Sequence, residues 1–404
     1  MVVEHESVES VGELLPPDRT LMGPGPSDVH PRVLRAMSTP LVGHLDPAFI
    51  EIMDEVQSML RYTFQTDNQW TIPVSGTGSA AMEAAFSNLV EPGDTVLVPT
   101  NGYFGGRMES MANRAGGEVV HVDAAWGQPL DPAVVESAVA QHDPEIVAFV
   151  HAETSTGVLQ PDVPAITEIA HDHDALVIAD TVTSIGGVEL RVDDWDIDVA
   201  YAGAQKCLSA PPGASPLTLS DHAMEKVLSR ESEPRSWYLD LSLLEGYWGS
   251  DRSYHHTAPI TSVYSIREAL RLVAEEGIEE RWDRHLAMAT ALKDGVEAMG
   301  LEMNAPPEYW LPSLNAVRTP DGVDPSAVIG DLLDRYELEI AGGLGDLAGE
   351  IFRIGCMGYS ARPANVSYLI SSLGAVLADN GADVDVEAGV AATSEGLADA
   401  TVSK

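Results

Sequence analysis

From about residue 70 the chain alternates short β-branched apolar runs with stretches of helical spacing. The runs are TVLVP (95–99), EVVHV (118–122), EIVAFVH (145–151), ALVIAD (175–180) and DVAYAG (198–203), and helices fit at 78–90, 105–115, 131–140 and 164–173. Strands this apolar are buried on both faces, and the helices between them supply both the crossovers and the covering layers. The pattern predicts an α/β fold with a mostly parallel sheet flanked by helices. In such sheets a ligand sits outside the carboxyl ends of the strands. That rule singles out the residues just after each strand: Asn101, Thr154, Asp180, Gln205 and Lys206.

The organisation changes along the chain. Residues 1–18 are acidic and without period, and read as a loose arm. Residues 47–60 have helical spacing, and residues 19–258 form the expected large domain. After that, helical runs at 262–276 and 278–299, strand-like SLNAVRT and EIFRIG, and helices at 325–336 and 364–379 predict a smaller α+β domain over 259–381. Residues 382–404 are small and acidic with no persistent apolar face, so a disordered tail is expected. No window of about 18 residues is continuously apolar. The first residues lack the basic and apolar regions of a secretory signal. The two cysteines, Cys207 and Cys356, form no metal or disulfide framework. The expectation is a cytoplasmic protein without a metal site.

Asp and Glu number 63 against 22 Lys and Arg, a formal net charge of -41 spread over the whole chain. Repulsion on this scale destabilises a compact state in dilute buffer, and molar salt, with a Debye length of about 3 Å, screens it. A halophilic, high-salt setting is expected, and nucleic acid and anionic membranes are poor partners.

Lysine occurs only at 206, 226, 293 and 404. Lys206 alone stands in a run of small residues, AGAQKCLSAPPG, just past an apolar strand. A lysine so placed can condense with a carbonyl. Pyridoxal phosphate chemistry needs that lysine together with a carboxylate facing the pyridine nitrogen, and Asp180, ending ALVIAD one strand earlier, suits the second role. The Gly-rich turn of VSGTGSAAMEAA opens a helix, so the N–H groups of Gly76, Thr77, Gly78 and Ser79 would meet a phosphate with the dipole in the right sense. It lacks the lysine of a P-loop and does not complete GxGxxG, which disfavours an NTPase and a nucleotide-dependent dehydrogenase. Phe104 or Tyr103 could stack on a flat cofactor, Gln205 could bond its phosphate, and Thr154 its ring hydroxyl.

Taken in order, GPGP, SGTGSAAMEAA, HAETSTGVLQP, ADTVTSIGG, AGAQKCLSAPPG, YHHTAP and GGLG…FRIGCMG resemble a fold-type I, class V aminotransferase of the alanine–glyoxylate and serine–pyruvate or serine–glyoxylate group, over roughly residues 18–380. The resemblance implies a pyridoxal phosphate enzyme. Lys206 would be its Schiff-base lysine and proton shuttle, with Asp180 on the ring nitrogen and Val182 against the ring. Phe104 would stack, Thr154 would lie near the ring oxygen, and Thr77, Gly78 and Gln205 would contact the phosphate. Tyr254 and Thr257 in YHHT would reach the phosphate of the other subunit of a homodimer, and Arg353 would grip the substrate carboxylate. A planar guanidinium holds a carboxylate with two parallel hydrogen bonds, which supports the last role.

Ser79 stands where some members carry histidine, and one extra residue lies between HAETSTG and Asp180, leaving Thr154 and Ser155 both open as the group facing the ring. The implied reaction moves an amino group from alanine or serine to glyoxylate or pyruvate. No second Arg or Lys stands out near these motifs, so a dicarboxylic donor is not expected. The alternatives are a 2-aminoethylphosphonate aminotransferase, a cysteine desulfurase-like enzyme, which would want a mobile reactive thiol, and a binding protein that kept the fold without activity. His44, in LVGHLDPAF, is either near the substrate entrance or an ordinary loop histidine.

Overall fold

A computed structural model describes residues 12–402, with side chains to residue 400. Most of the acidic arm lies outside the described residues, and residues 12–18 form no helix or strand and are exposed. The main sheet has seven strands: β1 (Trp70–Gly76), β2 (Thr95–Thr100), β3 (Glu118–Asp123), β4 (Ile146–Val150), β5 (Leu176–Asp180), β6 (Val199–Tyr201) and β7 (Gly213–Leu219). Their order is β1-β7-β6-β5-β4-β2-β3. The run β6-β5-β4-β2-β3 is parallel. β7 is antiparallel to both β6 and β1, so β1 points the same way as the parallel strands. The carboxyl ends of β1, β2, β4, β5 and β6 therefore share one edge of the sheet. β4 and β5 are wholly buried, as their unbroken apolar runs require.

The helices run α1 (Pro31–Met37), α2 (Pro47–Phe64), α3 (Gly78–Leu89), α4 (Tyr103–Ala115), α5 (Pro132–His142), α6 (Val163–His171), α7 (Asp221–Leu228), α8 (Leu241–Trp248), α9 (Ile260–Glu276), α10 (Ile278–Ala298), α11 (Pro325–Tyr336), α12 (Pro363–Asp379) and α13 (Val386–Val402). A second, three-stranded antiparallel sheet holds β8 (Leu314–Arg318), β9 (Ala341–Gly342) and β10 (Ile351–Gly355).

Among the described residues, two large hydrophobic cores, with two small clusters beside them, divide the chain. The first contains the main sheet and helices α1 to α9. The second gathers Met22, α10, β10, α11 and α12. The expected boundary at 258 needs correction on this ground. Val263, Ile266, Leu270 and Val273 of α9 pack into the first core, so the change of core comes at α10. Met22, from the start of the chain, joins the second core because Thr20–Leu21 pairs with Leu338–Glu339.

The disordered tail is also corrected. Residues 386–402 form α13, which packs on α10. The contact with α10 is made mostly by small residues, with Leu397 packed against the second core. A Cβ on Gly396 would lie 3.1 Å from Ala291 Cα, and one on Gly295 would lie 2.0 Å from Thr393 Oγ1. Thr393 is buried and turns its hydroxyl inward to the Gly389 carbonyl, 2.9 Å.

Candidate active site

The shared strand edge carries a cavity of about 220 Å³ lined by Thr77, Gly78, Ser79, Phe104, Thr154, Asp180, Val182, Gln205 and Lys206, together with Met82, Arg107 and Thr183. Nine of the residues expected from sequence thus meet in one place, delivered by the carboxyl ends of β1, β2, β4, β5 and β6 and the segments that follow them. β1 ends at Gly76 and turns into α3 with Thr77 at its cap, where no side chain satisfies the first-turn N–H groups. That leaves the positive end of the helix facing the cavity.

Asp180 ends β5 beside Val150 on one strand and Tyr201 on the other. Its Oδ1 accepts the Val182 N–H at 2.9 Å, and its Oδ2 accepts the Tyr201 hydroxyl at 3.0 Å. Burial pushes its carboxyl up to about 6, against the pull of those two donors. Lys206 is half-buried, and desolvation lowers its amine to about 8. Its Nζ donates to the Pro24 carbonyl, so the GPGP segment closes over the lysine. Gly25, at φ +108°, permits this: a Cβ there would lie 2.6 Å from Lys206 Cδ.

Thr154 lines the cavity, whereas the Ser155 hydroxyl donates to Glu153 Oε1 at 2.7 Å and accepts the Tyr103 N–H at 2.9 Å. Glu153 went unnoticed in the sequence. It is buried, accepts the N–H of Phe104 at 3.1 Å and of Ser155 at 2.9 Å, and is raised to about 7 by desolvation. With Ser155 it caps the start of α4 from a neighbouring strand, because Gly102 has no side chain to do so. This cap fixes Phe104 at the cavity wall. A Cβ on Gly102 would lie 2.4 Å from Glu153 Cγ.

Arg107 corrects the expectation of no second cation. It lines the cavity with its guanidinium 5.0 Å from the Phe104 ring centre, one turn along α4. Arg353, on β10, stands outside the cavity lining. It is buried, donates from Nε to Gly342 at 2.7 Å, and its charge depresses Lys206. Its terminal nitrogens have no hydrogen bond among the described residues. Tyr254 and Thr257 do not line the cavity of their own chain and are exposed. His44 packs its ring 5.3 Å from that of Tyr254 and is also outside the lining.

Residues 23–348 match the aminotransferase class-V family. The chain is 43% identical over 391 residues to a (S)-ureidoglycine–glyoxylate transaminase of Bacillus subtilis, covering 92% of this chain and 94% of that protein. It is 40% identical to an alanine–glyoxylate aminotransferase of Drosophila melanogaster, covering 88% and 92%. The crystal structure of the ureidoglycine–glyoxylate aminotransferase from B. subtilis superposes with a TM-score of 0.94, covering 96% of this chain and all of that one. An alanine–glyoxylate aminotransferase from Nostoc sp. superposes with 0.90 at 48% identity, covering 91% and 98%. NifS-like proteins, at 16% identity and a TM-score of 0.69, share the fold alone. The chain belongs to the class-V aminotransferases.

Proposed function

We propose that this aminotransferase uses pyridoxal phosphate to move an amino group from a small amino acid, alanine or serine, to glyoxylate or pyruvate. The observation that carries the reading is the convergence of Lys206, Asp180 and the open N-terminus of α3 on one cavity. The residues fit the cofactor. Gln205 lines the cavity with Oε1 buried and without a partner among the described residues, so its amide is free to turn toward an anion. Thr77, Gly78 and Ser79 would hold the phosphate with it, Phe104 and Val182 would flank the ring, and Thr154 would bond the ring oxygen. When bound, pyridoxal phosphate supplies a carbonyl for covalent attachment and a ring that takes up electron density from the substrate Cα.

Lys206 attaches through Nζ, and its lowered affinity for protons leaves more of the neutral, nucleophilic amine at neutral pH. Once free, Nζ takes the Cα proton and returns it as a general acid. Asp180 holds a proton at the ring nitrogen, and Tyr201 and the Val182 N–H keep it ionised for that task. Arg353 binds the α-carboxylate. A homodimer in which Tyr254 and Thr257 cross to the other subunit's phosphate explains why both are exposed in one chain. We place the enzyme in the cytoplasm, from the sequence reading.

Desulfuration is disfavoured. Burial raises the Cys207 thiol to about 11 and the Cys356 thiol to about 12, so neither offers a reactive thiolate. A second donor, (S)-ureidoglycine, is favoured by the B. subtilis relative, and glyoxylate stands in the names of both relatives as the other substrate. A half-reaction screen decides. Alanine, serine, (S)-ureidoglycine, 2-aminoethylphosphonate and cysteine are added singly while loss of the cofactor's visible absorbance is followed, with glyoxylate then restoring it. Lys206→Ala should abolish turnover, and a wild-type protein that takes up no pyridoxal phosphate would defeat the reading.

A further inference from the structure

Behind the cavity, one ion cluster grips the loops that carry its key side chains. Arg281, in the first turn of α10, is buried. It donates from Nε to the Gly186 carbonyl at 3.0 Å, from Nη2 to the Cys207 carbonyl at 2.6 Å, and from Nη1 to Glu276 at 2.7 Å. Gly186 lies in the turn that follows Asp180, and Cys207 adjoins Lys206. Arg284, one turn later, pairs with the same Glu276 through Nε and Nη2. Its Nη1 donates to the carbonyls of Gly358 and Ala361 at 3.1 and 2.8 Å. Both follow β10, which bears Arg353.

His285 completes the joint. Its Nε2 accepts the Gly358 N–H at 2.7 Å and its Nδ1 donates to the Arg281 carbonyl at 2.7 Å. Both bonds are met by one neutral tautomer, the form that burial enforces. The two loops touch directly: a Cβ on Gly358, at φ +53°, would lie 2.0 Å from Ser209 Oγ and 2.7 Å from the Cys207 carbonyl. Two arginines sharing one carboxylate are a poor source of stability for the desolvation they cost. They are a good means of fixing backbone, because each guanidinium holds several donors in one plane.

We propose that Arg281 and Arg284 are positioning residues with separable roles. Arg281 sets Lys206 against Asp180, and Arg284 sets Arg353 against Lys206. The proposal rests on the transaminase reading above. It predicts that displacing Arg281 harms the chemical step, while displacing Arg284 harms the hold on the substrate carboxylate. A small misplacement of a reacting group is enough for a large effect on rate.

The test uses the full-length, cofactor-loaded enzyme with alanine and glyoxylate. Arg281→Lys should lower kcat about tenfold, leave KM near wild type, and shift the pH midpoint of the cofactor's visible absorbance. Arg284→Lys should raise KM for both substrates about tenfold, with kcat and the absorbance midpoint unchanged. Glu276→Gln, which loosens both arginines, should show the two signatures together. Lysine replaces arginine here because alanine would leave the Gly186 and Cys207 carbonyls, or those of Gly358 and Ala361, without their donor and would open a void that risks unfolding the chain. Wild-type constants with only a lower melting temperature would mean a structural role, and a parallel loss of kcat and KM in both variants would refute the division; either result overturns the proposal. A wild-type enzyme without cofactor uptake or turnover would instead fault the functional reading.

Discussion

Lys206 is where pH acts on the site most directly. Its amine is neutral above its own pKa, and burial brings that value from 10.5 down to about 8. Condensation of the cofactor-free protein with added pyridoxal phosphate should therefore quicken as pH rises through about 8 and level off above it. A stopped-flow absorbance series measures this, and a rate still climbing toward pH 10 would show an ordinary lysine. Gly25 guards the same side chain. In Gly25→Ala the new methyl would lie 2.9 Å from Nζ at a φ of +108°, so the lysine must move. Turnover should fall by about a hundredfold, with the far-ultraviolet spectrum of the fold retained. Lys206 and Asp180 were legible because each ends an apolar run, where a charged side chain has few other reasons to stand. Glu153, Tyr201 and Arg107 were not. Glu153 reads as one polar residue among several in HAETSTG, Tyr201 as a strand aromatic, and Arg107 as a helix surface charge. What gives them a role is a partner brought alongside by the sheet order: Phe104 for Glu153, and Asp180 for Tyr201.

Helices and strands were readable where burial writes a period. The parallel strands β2, β4, β5 and β6 and helices α3 to α6 fall close to their expected places, because each buries a continuous run or a stripe; β3 is also in its expected place but, as an edge strand, has no fully buried residue. α13 escaped because its contact surface is made mostly of small residues. Close helix approach depends there on what is missing, and a hydrophobic pattern does not record missing atoms. This makes a sharp contrast between two glycines. Gly295 has Thr393 Oγ1 only 2.0 Å from its virtual Cβ, with the Gly389 carbonyl at 3.1 Å. Gly295→Val should lose about 1–3 kcal/mol by overpacking. Gly330, in α11, has nothing within 4 Å of its virtual Cβ. Gly330→Ala should gain up to about 1 kcal/mol from helix propensity alone. Urea unfolding of the two variants beside wild type reads both signs. An unchanged Gly295→Val would mean that α13 does not pack as described, and a destabilised Gly330→Ala would mean that the space around Gly330 is not open.

At the scale of the whole molecule the governing quantity is charge. With 63 acidic side chains against 22 basic ones, most carboxylates have no cation to pair with. Many of the arginines are already paired with acids, some with two at once: Arg32 with Glu268 and Glu275, and Arg191 with Glu189 and Glu279. Such exposed pairs are worth little individually, and they leave a large excess of like charge repelling across the surface. The repulsion has a range that salt controls, about 10 Å at 0.1 M and about 3 Å at 1 M. The melting temperature should therefore rise steeply as potassium chloride goes from millimolar to molar, with most of the gain complete by about 1 M. Two mechanisms can raise stability in salt, and they separate cleanly. Screening follows ionic strength whatever the anion, whereas exclusion from the surface favours sulfate over chloride. Matched melts in chloride and sulfate at equal ionic strength should thus coincide up to roughly molar salt, where screening saturates. Equal melting temperatures in low and high chloride would sink the screening argument. The Glu276–Arg281–Arg284 joint provides an internal control. Its pairs are partly buried and so are screened less than surface charges, and salt should leave the absorbance and kinetic signatures assigned to those arginines in place while the global stability climbs.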